Sequence, residues 1–240
     1  MNYTGAEASP AGGLPEMPVP AGLDWNMWLN QSAARPFHPD WMGWMRWRDF
    51  SGGEMTNWGA HGVDQIQWAL GMDDTGPIEL VPLSAGPNGQ IAMKYANGVE
   101  VQFVREPGKG PMGGAVFTCE QGKIEINRNK FTSNPLDIAE ELRKKLDVAE
   151  EERKWSDDLA LWQARWHMQD WLDCIRTRNR PRADVEIGHR SVTVCHLANI
   201  ARAAGRPLRW NPAHERFVDD DQANSYLDRE RRGGFELPLV

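Results

Sequence analysis

Four side chains that could bind and transform a small molecule recur at helical spacing: Asn57, His61, Asp64 and Trp68. Residues three and four positions apart share one face of an α-helix. The spacing therefore predicts a stripe that combines an amide, an imidazole, a carboxylate and an indole. An imidazole gives or takes a proton near neutral pH, and a carboxylate one turn away can fix its tautomer and raise its basicity. Such a stripe has the composition of a catalytic wall.

A structural alternative exists for the same residues. His61 and Trp68 can be partly buried packing residues, with Asp64 as a group at the start of the helix. Residue types alone favour this alternative slightly. In either case Gly52-Gly53 is interpreted as a flexible entry to the helix, and Gly71 as the glycine that caps its end.

The composition indicates a globular protein and argues against nucleic acid as a partner. With 240 residues, 40% of them hydrophobic, the chain can build a sizeable core. A net charge of −7 opposes phosphate binding, which needs an excess of Lys and Arg. No run approaches the roughly 18 consecutive apolar residues that a membrane span requires. We therefore expect neither a nucleic acid nor a membrane partner.

The cysteines and the amino terminus bear on the compartment. Cys119, Cys174 and Cys195 are odd in number and widely spaced, which predicts buried thiols in a reducing compartment, with neither a disulfide framework nor a metal site. The first 22 residues lack the charged-then-apolar pattern of a signal peptide. The chain as written is expected in the cytoplasm, and an export signal on a longer precursor stays an open alternative.

Tryptophan is used far above its ordinary frequency, with 12 in the chain. Indole faces pack on the apolar faces of pyranose rings, so the tryptophans suit a sugar-binding wall. They suit a large core equally well. For Trp25, Trp28, Trp41, Trp44 and Trp47 we give core packing and ligand contact equal weight.

The pattern along the chain predicts an α+β fold, with an open, mainly antiparallel β-sheet and helices packed on one face. Residues 1–22 are rich in proline and predict an extended strap, and residues 23–240 form the α/β domain. Helices are predicted at Leu23 to Asn30, around His61, at Asp157 to Arg178, Glu186 to Ala204 and Asp220 to Arg231. Strands are predicted at Ile78 to Leu83, Ile91 to Tyr95, Val99 to Val104, Ala115 to Cys119, Lys123 to Asn127 and Leu208 to Trp210. Asn97-Gly98 and Gln121-Gly122 predict hairpin turns, and Arg35 to Arg48 predicts a loop.

Two further patterns carry little weight. Residues 108–113 match the three-glycine dinucleotide pattern, but a strand-like run follows them where a helix is required. His189 and His196 lie seven apart on one predicted helix, which suits packing better than shared metal ligation, and His167 is interpreted as structural.

Several stretches together resemble the C-terminal domain of the Gfo/Idh/MocA oxidoreductases, in their bacterial sugar-dehydrogenase-like branch. The resemblance covers nearly the whole chain from about residue 14. The matching stretches are Gly22-Leu23-Asp24-Trp25 with Trp28-Leu29, Met55 to His61 with Asp64, Trp68 and Gly71-Met72-Asp73, Gly122 to Ile126, Arg182 to Ser191, and Asn211-Pro212 with Glu215, Phe217 and Ala223-Asn224.

The resemblance implies a function, and it implies a cofactor that this chain alone is not expected to bind. Family members carry an N-terminal Rossmann domain for NAD or NADP, followed by an α/β domain that holds substrate and forms the oligomer interface. The Glu-Lys-Pro motif of the family, whose Lys assists hydride transfer, is absent here, since Arg105-Glu106-Pro107 is not that motif. NAD or NADP is thus implied by the family, but this chain alone is not expected to bind it in the family manner.

The resemblance also assigns roles to single residues. His61 is implied as the proton-transfer residue. Asn57 stands where the family has an acid, and an amide can orient a hydroxyl without carrying charge. Asp64 matches an acid one turn later, and Trp58 and Arg48 are candidate substrate contacts.

Two functions of different class follow. The first is the substrate domain of an NAD(P)-dependent oxidoreductase for a sugar, polyol or related hydroxyl compound, inactive alone and completed by a separate Rossmann domain. The alternative is a non-catalytic carbohydrate-binding or oligomerisation module, favoured by Asn57 and the missing cofactor elements. A glycosidase or lyase that works by transient oxidation also stays open. For all of them we expect a homo-oligomer formed through an apolar sheet face.

Overall fold

The computed structural model describes residues 4–104, 114–127, 130–146 and 157–238, which form two compact units. The first unit contains Trp58–Gly76 and the described residues of Glu106–Val194. The second contains the described residues of Asn2–Asn57, Pro77–Arg105 and Cys195–Val240. The glycine pattern at 108–113 and the sequence Arg105-Glu106-Pro107 lie outside the described residues.

The described residues contain six α-helices and eight β-strands. The helices are α1 (Trp25–Leu29), α2 (Trp58–Leu70), α3 (Asp137–Leu146), α4 (Asp157–Thr177), α5 (Val185–Ala204) and α6 (Asp221–Asn224). The strands are β1 (Glu79–Pro82), β2 (Ile91–Lys94), β3 (Glu100–Phe103), β4 (Ala115–Cys119), β5 (Gly122–Asn127), β6 (Lys130–Asn134), β7 (Leu208–Asn211) and β8 (Arg216–Phe217). Short 3-10 turns occur at Pro39–Met42, Trp44–Arg46 and Gly53–Met55.

The second unit is built on a five-stranded antiparallel sheet in the order β3-β2-β1-β7-β8. Side chains alternate between the two faces of a strand. On one face of the sheet the buried side chains are all apolar: Leu80, Ile91, Met93, Phe103, Leu208, Trp210 and Phe217. The opposite face is mostly charged, and Glu79 lies opposite both Lys94 and Arg209 in register. Burial of one face therefore fixes the register of the sheet.

The amino-terminal segment of the second unit contains no helix or strand between residues 4 and 22. Glu7 forms an isolated parallel bridge with Trp47, through hydrogen bonds of 2.8 Å from the Glu7 amide to Arg46 O and from the Arg48 amide to Glu7 O. Ala6, the residue before Glu7, is buried. The segment is held by backbone bonds, and the division of the chain at residue 22 into strap and domain stays a prediction.

The first unit contains a three-stranded antiparallel sheet in the order β4-β5-β6, together with α2, α3 and α4 and the start of α5. The turn between β4 and β5 lies at Glu120 and Gln121, so Gly122, predicted as part of the turn, is the first residue of β5. Phe117, Ile124, Ile126 and Phe131 share one face by register, and all four are only partly buried. This face is less completely covered than the apolar face of the five-stranded sheet.

The predicted α+β class and the antiparallel strands are confirmed, and the strands divide between two sheets. The helices predicted at Leu23 to Asn30, around His61, at Asp157 to Arg178 and at Glu186 to Ala204 are all present with shifted ends. The prediction at Asp220 to Arg231 was wrong in length, because α6 ends at Asn224. The Asn224 side chain instead bonds the Phe217 backbone, accepting from its N–H at 2.9 Å and donating to its carbonyl at 3.0 Å.

Two strands and the short 3-10 turns were missed. β6 and β8 have no clean alternation of apolar and polar residues, and β8 is two residues long. The region Arg35 to Arg48 was interpreted as a loop, yet 3-10 turns form at Pro39–Met42 and Trp44–Arg46. His38 caps the first of them, its Nδ1 accepting from the Asp40 amide at 3.1 Å.

Within the described part of the chain, no helix is long and apolar enough to cross a membrane.

The end of α2 matches the prediction that Gly71 caps it. Gly71 has φ +66°, its amide donates to Trp68 O at 3.1 Å, and the Met72 amide donates to Gln67 O at 2.8 Å. These two bonds are the Schellman motif, which needs a left-handed residue just past the helix end.

Gly71→Ala should therefore lower the free energy of unfolding by about 1 kcal/mol, because a Cβ disfavours the left-handed conformation. Space is not the cause, since no atom lies within 4 Å of an added Cβ. Gly188→Ala is the matched control: its Cβ is equally unobstructed, but Gly188 lies inside α5 without a positive φ. Urea unfolding should show Gly188→Ala as stable as wild type or more stable. Equal losses in both variants would contradict this account of Gly71.

Candidate functional site

Helix α2 has one buried side, made mostly of small and apolar residues, and one side that is open to solvent. Gly59, Gly62, Val63, Ile66 and Gln67 are buried. In contrast, His61, Asp64 and Trp68 are exposed, with Trp68 at 70%. The predicted stripe is thus real for these three residues. The alternative in which His61 and Trp68 are partly buried packing residues was wrong, because both side chains are exposed. Asp64 does not lie at the helix start, because α2 begins at Trp58.

His61 lies beside Trp58, one turn earlier on the same helix. Their ring centroids are 5.6 Å apart, and the rings are tilted by 58°. Trp58 is partly buried, whereas His61 is exposed. An indole next to an exposed imidazole offers an apolar surface for a ring-shaped ligand beside a group that can transfer a proton.

Asp64 is fixed by a hydrogen bond from α5. Ser191 Oγ donates to Asp64 Oδ1 at 2.8 Å, and Ser191 is 5% exposed. The carboxylate therefore keeps a defined position on the exposed side of α2, at the first turn after His61. Its negative charge is suited to accept a hydrogen bond from a substrate hydroxyl.

Gln67 stabilises the loop that follows α2. This fully buried side chain donates from Nε2 to Met72 O at 2.9 Å and to Thr75 O at 2.8 Å. Within the same loop, Asp74 forms an ion pair with Arg180 at 3.4 Å, and Arg180 also pairs with Asp184 at 3.1 Å. Residues 72–75 are thus held by Gln67 and by Arg180, and these contacts fix the carboxyl end of the helix that carries the candidate site.

Two of the predicted site residues belong to the second unit. Asn57 precedes α2 and does not lie on its helical stripe, contrary to the prediction. Its amide nitrogen donates to Glu54 Oε2 at 3.3 Å. Arg48 is exposed, and its carbonyl accepts from Arg229 at 3.4 Å. Helix α2 by itself therefore brings together Trp58, His61 and Asp64.

The loop that leads to Asn57 is tightly held, so the interpretation of Gly52-Gly53 as a flexible entry was wrong. Gly53 is buried with φ +70°, and an added Cβ would lie 2.6 Å from Ala6 N and Gly5 C. The Met55 amide donates to Thr4 O at 2.9 Å. Gly53 is needed because the amino-terminal segment passes so close to it.

Side chains from the carboxyl half of α5 hold the same loop. Asn199 Nδ2 donates to Gly52 O at 2.7 Å, and Arg202 Nη1 donates to Asn199 Oδ1 at 3.1 Å. Arg202 is 8% exposed and also donates from Nε to Gly89 O at 2.8 Å. Burial lowers the pKa of Arg202 to about 10, so it stays charged at neutral pH. The two residues position the backbone just before Asn57.

The tryptophans of the second unit divide between core and surface. Trp41 and Trp47 are buried at 2% and 4% and meet edge to face, 5.1 Å apart. Trp25 and Trp28 are partly buried and stack at 4.7 Å. Trp44 is 51% exposed. Only Trp44 among these five keeps a largely open ring for a ligand.

The cysteines differ from the prediction of three buried thiols. Cys195 is buried, Cys174 is partly buried and Cys119 is exposed, and none is in a disulfide. Among the residues that the structure describes, no group of three or more His, Cys, Asp or Glu could hold a metal ion.

The chain belongs to the Gfo/Idh/MocA oxidoreductase family: residues 8–237 match the model of the "Oxidoreductase family, C-terminal alpha/beta domain". This confirms the resemblance to the C-terminal domain of the family, and the sugar-dehydrogenase-like branch stays a prediction. No curated protein matches the chain.

Members of this family generally depend on NAD(P), and a dinucleotide needs a binding site of a particular architecture. A Rossmann site requires a strand, a glycine-rich turn and a helix within a parallel sheet. The described strands of both sheets pair only antiparallel. These residues do not fit a dinucleotide in that manner, and no hydride step is assigned to them. That the whole chain fails to bind NAD or NADP stays a prediction.

Sequence reasoning missed the residues that position the site. Ser191 ended a stretch recognised by resemblance, but its bond to Asp64 joins positions 127 residues apart. Asn199 and Arg202 are polar residues within the apolar pattern of α5, and Gln67 has the same character in α2. A polar residue at a buried helical position is the one signal that could have found them, because such a group needs a hydrogen-bond partner.

Ser191→Ala should lower the free energy of unfolding by about 1 to 2 kcal/mol, since it removes a hydrogen bond to a carboxylate. The check is a double-mutant cycle with Asp64→Ala, followed by urea unfolding. We expect Ser191→Ala to cost less in the Asp64→Ala background, with a coupling of about 1 kcal/mol. Strict additivity would show that this bond contributes nothing.

Proposed function

We propose that this chain is the substrate-binding domain of an NAD(P)-dependent oxidoreductase that acts on a sugar, a polyol or a related hydroxyl compound. Family membership supports the reaction class. The observation that carries the proposal is the exposed His61 between Trp58 and Asp64 on one helix, with Asp64 fixed by Ser191. A proton-transfer group, an apolar ring and an oriented acceptor are what a carbohydrate hydroxyl needs.

Each residue has a distinct part in this proposal. His61 exchanges a proton with the substrate hydroxyl or carbonyl, and Trp58 packs against an apolar ring face. Asp64 accepts from a neighbouring hydroxyl. For Asn57 and Arg48, which belong to the second unit, the family resemblance is the only support for substrate contact, in which Asn57 would orient a hydroxyl without charge. A separate Rossmann domain supplies the nicotinamide that takes or gives the hydride.

A second candidate is a carbohydrate-binding or assembly module without catalysis. Asn57 favours it, because an amide cannot stabilise a neighbouring cation as a carboxylate does. The exposed rings of Trp44 and Trp68 are compatible with sugar contact in the absence of chemistry.

Self-association through a sheet face also belongs to the proposal. The partly buried face of the three-stranded sheet, with Phe117, Ile124, Ile126 and Phe131, supports it. The apolar face of the five-stranded sheet is not available, because it forms the core of the second unit. We propose a cytoplasmic location, in keeping with three cysteines that form no disulfide.

His61→Ala should lower kcat/KM by about 10²- to 10⁴-fold, the usual contribution of a positioned acid or base. The measurement is nicotinamide reduction across a panel of sugars and polyols, with the protein isolated from its own cells together with any Rossmann partner. Val185→Ala, at a position 84% exposed outside the site, is the control. Undiminished activity in His61→Ala would remove its assigned role. Sugar-dependent quenching of tryptophan fluorescence, with no turnover by wild type, would favour the binding module.

Asn57→Asp should raise kcat/KM of the same preparation and shift its pH profile, because it restores the carboxylate that the family carries at this position. Asn57→Ser is the matched control, since it is similarly small and polar but uncharged. An equal effect of both changes would show that the charge at position 57 is unimportant.

A further inference from the structure

Helix α4 carries an exposed row of large apolar side chains over its described residues. Met168, Trp171, Leu172 and Ile175 are 48%, 51%, 45% and 44% exposed. The spacings are four, three and four along the helix for Ala164, which is also exposed, Met168, Trp171 and Ile175. Leu172 follows Trp171 directly in the sequence. This spacing places them on one stripe, the pattern by which one helix packs against another.

The row is unusual for a helix of a folded domain, where such a stripe faces the core. The opposite side of α4 is also open, because Trp166 is 52% exposed. Contiguous apolar surface of this kind marks a site of interaction with another molecule. The row of Ala164, Met168, Trp171, Leu172 and Ile175 is called the α4 seam below.

We propose that the α4 seam pairs with the seam of a second copy of this chain, with the two helices antiparallel. The argument is one of size. If the two-fold axis passes between Gln169 and Asp170, Ile175 lies opposite the small Ala164 of the other copy. Met168 then lies opposite Trp171, a favourable sulfur–aromatic contact. A parallel pair in register would instead crowd each Trp171 against the other.

The area available matches a weak dimer. Half-exposed side chains of this size each offer about 100 Å². The four large residues on two helices therefore bury about 800 Å², and the adjoining side-chain stems add to this. Specific interfaces begin near 1,000 to 1,200 Å². The contact is thus reversible and depends on protein concentration. It does not rest on the proposed function, since it involves no residue of the candidate site.

Sedimentation equilibrium over a range of concentrations tests the proposal with Trp171→Glu and Trp166→Glu. The two tryptophans are equally exposed on opposite sides of the same helix, so they form a matched pair. We expect Trp171→Glu to weaken dimerisation by about tenfold or more, since a carboxylate would be buried at the centre of the contact. Trp166→Glu should leave the dissociation constant within about twofold of wild type.

Circular dichroism and thermal unfolding establish that each variant is folded. If Trp171→Glu fails to fold, Ile175→Gln replaces it, with the same expected direction. Three results with the purified chain alone would overturn the proposal: a monomeric wild type at every concentration, equal weakening by both tryptophan changes, or a seam variant that dimerises as tightly as wild type. In the last case Ile124→Lys shows whether the three-stranded sheet forms the interface. Association with a separate nicotinamide-binding subunit through the seam, and not with a second copy, would also overturn it.

Discussion

One-sided burial of the five-stranded sheet is the constraint on which the second unit depends. Each buried side chain of Leu, Ile, Met or Phe contributes about 1.5 to 3 kcal/mol. A shift of one residue in any strand would turn Leu80, Met93 or Leu208 toward the charged face. Because the register of the strands is fixed, the positions of the loops at the edges of the sheet are fixed as well. The loop near Gly89 accepts Arg202, and Arg202 in turn holds Asn199 and the backbone before Asn57.

In the first unit, one side of helix α2 packs into the interior and the other side exposes the candidate site residues to solvent. Two glycines, Gly59 and Gly62, lie on its buried side, while its exposed side carries His61 and Asp64. A helix placed this way holds reactive groups more rigidly than a loop would. The Schellman motif and Gln67 fix its far end, and Ser191 fixes Asp64. The candidate site therefore depends on polar contacts made by buried residues that do not themselves meet the ligand.

Local patterns were sufficient to predict much of this. The spacing of three and four from His61 through Asp64 to Trp68 predicted the exposed stripe of α2, and Asn97-Gly98 predicted the hairpin between β2 and β3. Other elements lacked a local signal. β6 is stabilised by pairing with β5, and β8 by pairing with β7 and by the Asn224 side chain. A strand defined by its neighbours cannot be found from its own residues alone.

Composition and spacing by themselves determined the fold class and the residue types of the candidate site, since helical and strand periodicities and turn residues are local properties. The family followed from the resemblance of several stretches of the sequence, and the match over residues 8–237 confirmed it. Tertiary structure decided which tryptophans became core, why Gly53 must be glycine, and which partners hold Asp64 and Asn199. It also left the α4 seam exposed, although its pattern predicts a packed helix. The reason is the same in each case: burial and hydrogen bonding depend on residues far apart in the chain, and no local window contains both partners.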